Sequence, residues 1–129
     1  MTRYVLGFCF DDHRESVMLK RGSNGLFNGI IGLALNDLET TAMARVFRGA
    51  TGYDVNWESV FTNDHGENYT VVCRAFDTQA AVMGASADDA SLRQITADFA
   101  HEIYHPALRW IIPLLLDDSV QSGTLRVRP

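Results

Sequence analysis

His101-Glu102-Ile103-Tyr104-His105 carries the spacing H-E-x-x-H. On a helix, that spacing points two imidazoles off one face to hold zinc, while the glutamate activates water. Pro106 follows at once, and the residue before a proline is pushed away from helical geometry. After His105 no histidine or glutamate remains to complete the site, only Asp117 and Asp118. The expectation is a polar loop ahead of the last helix. The other chemistry-bearing side chains are dispersed. Lys20 and Arg21 either face phosphates or flank an exposed hairpin. Phe27 and Trp110 either stack a ring or fill the core. Ser23 and Ser59 have no histidine–acid partner that the sequence reveals, which argues against nucleophilic catalysis. Carboxylates cluster near residue 40 (Asp37, Glu39) and at Asp54; others fall in loops (Asp64, Glu67, Asp88, Asp89, Asp98).

The elements that must position these residues are legible from periodicity. Tyr4 to Phe10 and Ser16 to Lys20 are rich in strand formers around the polar Asp11-Asp12-His13-Arg14-Glu15, which predicts a hairpin. Arg21 to Asn24 is a loop. Phe27 to Leu35 is an apolar run interrupted by Gly29 and Gly32, and glycine inside a strand marks a bulge or a close backbone approach. A helix is predicted from Asn36 or Asp37, where Asn36 and Glu39 have the form of a capping box. Leu38, Ala42, Arg45, Val46 and Gly49 share one face at helical spacing, with Met43 and Phe47 beside it. Gly52 is placed to end that helix, since glycine tolerates positive φ.

Val55 to Thr62 and Tyr69 to Phe76 are predicted strands joined by a polar loop at Asn63 to Glu67. Gln79 to Met83 is expected as a short strand, Gly84 to Ser91 as a small-residue acidic loop, and Leu92 to Thr96 as one more strand. Pro106 to Leu116 is a predicted helix with Pro106 in its first turn and an apolar set of Leu108, Ile111, Ile112 and Leu115. Thr124 to Val127 is extended or frayed. The element order gives an α+β domain, a mixed sheet flanked by helices.

At 129 residues the chain has the length of one domain, residues 1–129. Its apolar fraction of 47% suffices for a folded core. A net charge of −5 and a pI near 5.2 disfavour non-specific binding to bulk nucleic acid or to an anionic membrane. A small basic pocket for a nucleotide stays compatible with that charge. Cys9 and Cys73 both lie in apolar, strand-like runs, so buried thiols are expected rather than a disulfide framework. No apolar run approaches the ~20 residues of a membrane span. The expected location is the cytoplasm.

The stretch Ala44-Arg45-Val46-Phe47-Arg48-Gly49-Ala50-Thr51-Gly52-Tyr53 resembles the end of a Nudix box, G-x5-E-x7-R-E-U-x-E-E-x-G-U, with its carboxylates removed. Gly52 and Arg45 fall on the pattern's glycine and arginine. The three glutamates of its core fall on Val46, Gly49 and Ala50. Counting back from Arg45 puts the first glutamate on Asp37 and the first glycine on Ile31. Other pieces are similar to the family in the same order. Tyr4 to Phe8 with Val17 to Arg21 resembles its opening hairpin. Phe27-Asn28-Gly29-Ile30-Ile31-Gly32 resembles the W-N-G-x-G-G entry of the nucleotide-sanitising, 8-oxo-dGTPase-like branch. Leu108 to Leu116 resembles that branch's C-terminal helix.

The resemblance implies the Nudix fold, an α/β/α sandwich, and a hydrolase whose box glutamates hold magnesium or manganese against a diphosphate. Valine, glycine and alanine side chains offer no hard oxygen ligand, so no metal site is expected. The expectation is a protein that has lost hydrolysis and acts by binding a protein partner or sensing a nucleotide-like ligand. By resemblance, Asn28 reads a purine edge, or else is a turn asparagine. Arg45 binds an anion or pairs with Asp37 or Glu39. Lys20, Arg21 and Trp110 complete the candidate ligand set. The alternative is a divergent magnesium- or manganese-dependent pyrophosphohydrolase of nucleoside triphosphates or diphosphate-linked nucleosides. It would draw on Asp37, Glu39 and Glu67, with Glu102 a further donor. Family habit alone implies a homodimer. The exposed face of the Leu38–Ala50 helix is the candidate partner surface.

Overall fold

The computed structural model describes residues 2–86, 89–95, 99, 101–120 and 124–126. Asp88, Thr96, Asp98 and Val127 lie outside them. In chain order the elements are β1 (Thr2–Phe10), β2 (Ser16–Arg21), β3 (Phe27–Asn28), β4 (Ile30–Leu33), α1 (Glu39–Thr51), β5 (Glu58–His65), β6 (Asn68–Phe76), α2 (Thr78–Gly84), β7 (Ala90–Gln94), α3 (Leu108–Leu116) and β8 (Thr124–Arg126).

The strands form one mixed sheet with a main path β3-β2-β1-β6-β5-β8. β1 is its axis. It runs parallel to β6 along its whole length, Thr2 beside Asn68 and Phe10 beside Phe76. Its other edge is divided. Cys9 and Phe10 pair with Met18 and Val17 of β2, as the predicted hairpin requires, and Tyr4 to Gly7 pair with Leu33 to Ile30 of β4. Gly29 marks the break between β3 and β4. A side chain there would put its Cβ 2.6 Å from the carbonyl oxygen of Gly7.

Alternation along β1 explains why helices cover both faces. Leu6, Phe8 and Phe10 enter a core with Val72 and the α3 residues Leu108, Ile111, Ile112 and Leu115. Val5 and Cys9 enter a second core with Ala42, Met43 and Phe47 of α1 and Ala80 and Ala81 of α2. A strand buried on both faces shows a continuous apolar run, which is how Tyr4 to Phe10 reads. Both thiols are buried and free. Burial pushes each up to about 12 from its ordinary 9.0, so they are inert packing groups.

Several expectations need correction. α1 begins at Glu39, and its N-cap Leu38 makes no side-chain cap bond. The capping box fails because the Glu39 carboxylate is held by Arg3 at 3.1 Å instead of reaching back along the helix. The core face of α1 is Ala42, Met43 and Phe47, while Leu38 is 74% exposed. Gly52 ends the helix as expected, at φ 83°. Gln79 to Met83 belongs to helix α2 and is not a strand. Asp77 caps it by accepting a hydrogen bond from the Ala80 amide at 2.9 Å. β5 starts at Glu58, and β5 and β6 extend through Asn63 to His65, leaving a turn at Gly66 and Glu67 where a longer loop was expected. α3 starts at Leu108, so Pro106 stands in the preceding turn. Its predicted apolar set is buried throughout.

Among the described residues, no helix is long and apolar enough to cross a membrane.

Candidate functional site

Two joined cavities open beside the junction of β1, β3 and β4. The first, about 650 Å³, is lined by Lys20 and Arg21 of β2, Asn28, Ile31, His105, and Val46, Gly49 and Ala50 of α1. The second, about 400 Å³, is lined by Asn63 of β5, Thr70 of β6, and Arg109 and Trp110 of α3. Asn28, Ile31 and His105 line both, so they form one cleft with two lobes.

Positions 46, 49 and 50 reach the cleft together because residues three and four apart share a helix face. That face is apolar. Val46 packs its methyl groups onto Gly32, where an added Cβ would lie 2.5 Å from Val46 Cγ2. Gly49 has open space around its Cα. Gly49→Ala should therefore stabilise the fold by roughly 1 kcal/mol, the difference in helix propensity. A urea midpoint that rises with an unchanged slope checks this.

Among the described residues, no aspartate or glutamate lines either lobe. Two of the candidate carboxylates, those of Asp37 and Glu39, are engaged elsewhere. Asp37 pairs with Arg45 at 3.3 Å, and Arg45 also donates to the Leu33 carbonyl at 2.8 Å. Glu39 pairs with Arg3. Glu67 sits in the β5–β6 turn, where its carbonyl accepts from the Thr2 amide. None of Asp37, Glu39, Glu67 or Arg45 lines the cleft. Among the described residues, no three His, Cys, Asp or Glu side chains come together to hold a metal. The described lining of the cleft does not fit the magnesium or manganese that box glutamates would bind.

Its charge has the opposite sign. Lys20 and Arg21 are exposed, and neither makes an ion pair among the described residues. The Arg21 guanidinium lies 4.9 Å from the Phe27 ring centroid, and that of Arg93 lies 4.7 Å from it. Phe27 itself is a core residue at 4% exposure, so its ring is not free to stack a ligand. Trp110 is half-buried, tilted against Phe61 at 6.1 Å, and forms a wall of the second lobe.

Asn28 Oδ1 accepts from the Gly29 amide at 2.8 Å, which leaves its Nδ2 donors uncommitted by that bond. His105 Nδ1 accepts from the Ala107 amide at 3.1 Å. The neutral ring then carries its proton on Nε2 and is a donor there.

The H-E-x-x-H segment is a loop, as expected. The Phe27 amide donates to Ile103 O at 2.7 Å and the His105 amide to Phe27 O at 2.8 Å. This bridge to β3 takes His101 and His105 off any common helix face. The same pairing brings His105 to the cleft, a placement sequence reading missed. Asn63, Thr70 and Arg109 were missed as site residues too.

No protein-family model matches the chain, and no curated protein matches it. Solved structures do. The mutator MutT protein of Bacillus halodurans superposes with a TM-score of 0.68 at 18% identity, covering 100% of this chain and 92% of its own. A NUDIX-family hydrolase of Clostridium perfringens gives 0.62 at 10% identity, covering 88% and 95%. NrtR of Shewanella oneidensis gives 0.62 at 20% identity, covering 89% of this chain and 62% of NrtR; NrtR has also been crystallised with a 27-mer DNA. Likeness at these identities speaks to architecture, and the strand order, the flanking helices and the cleft agree with it: the chain has the Nudix fold.

Proposed function

We propose that this protein has lost hydrolysis and binds an anionic, nucleotide-like ligand in the cleft, as a sensor. One observation carries the reading. The helix face at 46, 49 and 50 lines the cleft without a single oxygen ligand, while Lys20 and Arg21 stand at the same lobe with no ion-pair partner among the described residues. A metal-dependent hydrolase needs hard oxygens to hold its cation against the phosphates. A binding protein needs only charge and shape, and a net −5 chain that places two exposed cations at one cleft supplies both. Two cations at one cleft suit a small anionic ligand better than bulk nucleic acid, which needs a broad basic face.

The test is thermal unfolding with pyrophosphate and nucleoside di- and triphosphates, in EDTA and then with magnesium or manganese. Binding to the native state alone stabilises by about 2.7 kcal/mol at a hundredfold excess over Kd. The expected result is a rise in Tm in EDTA, little changed by metal, with no release of phosphate. Metal-dependent turnover that disappears in Asp37→Ala, Glu39→Ala or Glu67→Ala would overturn the reading in favour of a divergent pyrophosphohydrolase.

A second reading has its own support. Ile31, Leu33, Leu35 and Leu38 are 47 to 74% exposed along β4 and the approach to α1, and exposed apolar groups of this kind suit a protein contact. No ligand shift, together with loss of partner capture on Leu38→Glu, would favour it.

A further inference from the structure

β7 is an edge of the sheet: among the described residues it pairs with β2 and with no other strand. The Arg21 amide donates to Asp89 O at 2.7 Å, and the Ile95 amide to Glu15 O at 2.8 Å. Bonded positions alternate along an antiparallel ladder. Ser91 and Arg93 therefore turn their main-chain groups toward β2, while Ala90, Leu92 and Gln94 turn theirs outward. Those outward amides and carbonyls have no partner among the described residues. Proteins commonly blunt such an edge with lysine, proline or a bulge. Here the register runs from Ala90 to Gln94 without a shift, and the outward residues are uncharged. Leu92 is 37% exposed. The edge of β4 is guarded by comparison, since Arg45 occupies the Leu33 carbonyl.

We infer that β7 is the interface of a homodimer, in which two copies of the strand pair antiparallel about a twofold axis at Leu92. In that register Leu92 exchanges both main-chain bonds with the partner's Leu92, and Ala90 does so with the partner's Gln94. Every outward group is matched, because the unpaired positions are symmetric about Leu92. Charge selects the same arrangement. At one end of the β2–β7 pair Lys20 and Arg21 outnumber Asp89; at the other stand Glu15, Asp11 and Asp12, with Arg14 taken by Asp118. The twofold brings Arg21 level with the partner's Glu15, whereas a parallel register would set like ends together. The helices leave room. Leu92 lies across from Met18, and Gly84 of α2 sits on Met18, one strand in from the edge: an added Cβ there would lie 2.7 Å from Met18 Sδ. The two β2 strands would stand about 14 Å apart, three strand spacings, which exceeds the 8–10 Å or so at which helices pack. The contact is only about 17 Å of strand, so association belongs to the weak, concentration-dependent class.

Sedimentation equilibrium tests this. The native protein should show a dimer whose share grows with concentration. Leu92→Pro removes only an outward N–H, so the ladder to β2 keeps its bonds. It breaks both bonds at the axis and should raise the dimer dissociation constant about tenfold or more. Leu92→Lys and Leu92→Glu leave every main-chain group in place, so they decide the matter even if the proline variant fails to fold. Each alone sets like charges together at the axis and should be monomeric. Mixed, they should form a heterodimer, because residue 92 meets only its own counterpart on a twofold. Added salt should weaken that mixed pair. A native protein that stays monomeric at millimolar concentration overturns the inference and leaves the edge to a different chain. A dimer that survives both charged variants lies on another face and overturns it too, as does failure of the mixed variants to associate.

Discussion

The Lys20→Glu, Arg21→Glu double variant loses affinity for pyrophosphate by about 100-fold or more and keeps its fold. Hydrogen bonds to charged groups are worth about 1.5–3 kcal/mol each, and about 1.4 kcal/mol is a factor of ten in Kd. Two such contacts removed give roughly 3–6 kcal/mol, before any repulsion from the new carboxylates. The cost to stability is small, because both side chains are exposed at the end of β2. What the fold loses is the stacking of Arg21 on Phe27, about 0.5–1 kcal/mol at an exposed site; Arg93 still packs on that ring. Calorimetry at two salt concentrations checks the assignment. Native affinity should fall as salt rises, because exposed charges are screened within about 10 Å at 0.1 M. The variant's residual affinity should not depend on salt in that way. An unchanged Kd in the variant would remove the anion site from the cleft.

The sequence and the structure agree best where one local rule decides the outcome. The β1–β2 hairpin, the buried set of α3 and the Gly52 stop each follow from periodicity or from a single backbone demand. They diverge where a distant partner intervenes. Asn36 and Glu39 have the spacing of a cap, but Arg3, thirty-six residues away from Glu39, takes the carboxylate. Two overlapping stripes run along α1, and size decided between them: Met43 and Phe47 fill the space under β1, while Leu38 is left outside. α2 was hidden because seven residues give little periodicity, and its signal is the Asp77 cap followed by Ala80 and Ala81.

The cleft divides the same way. That 46, 49 and 50 would share a face was legible from helical spacing. That Asn63 and His105 would meet them was not. Asn63 falls in a polar run that looks like a loop and is strand, and His105 arrives through main-chain bonds to Phe27 that no side-chain pattern announces.

Arg74 shows the same blindness and carries the largest expected effect on stability. It is the lone buried charged residue among those described, at 4% exposure. Its Nε and Nη2 fork onto Glu58, the residue across from it on β5, at 3.1 and 3.3 Å. Nη1 donates to Leu115 O at 2.7 Å and to Asp117 O at 3.3 Å, and Nη2 to Val120 O at 3.4 Å. The last turn of any helix leaves carbonyls without amide partners, and a cation there also suits the helix dipole. Arg74 thus ties the end of α3 to the centre of the sheet. Arg74→Met keeps the length and apolar stem of the side chain but strips the carbonyls of their donor. Breaking a buried charge network in this way costs about 3–5 kcal/mol. The low end is expected, because Glu58 is half exposed and can rehydrate. Urea unfolding should show a free energy lowered by that amount, read as a lower midpoint with an unchanged slope, and Arg74→Lys should recover only part of it, since an ammonium cannot fork onto Glu58 and reach three carbonyls at once. A loss below about 1 kcal/mol in Arg74→Met, the range of an exposed ion pair, would mean that packing of Leu108, Ile111, Ile112 and Leu115 alone holds α3 on the sheet.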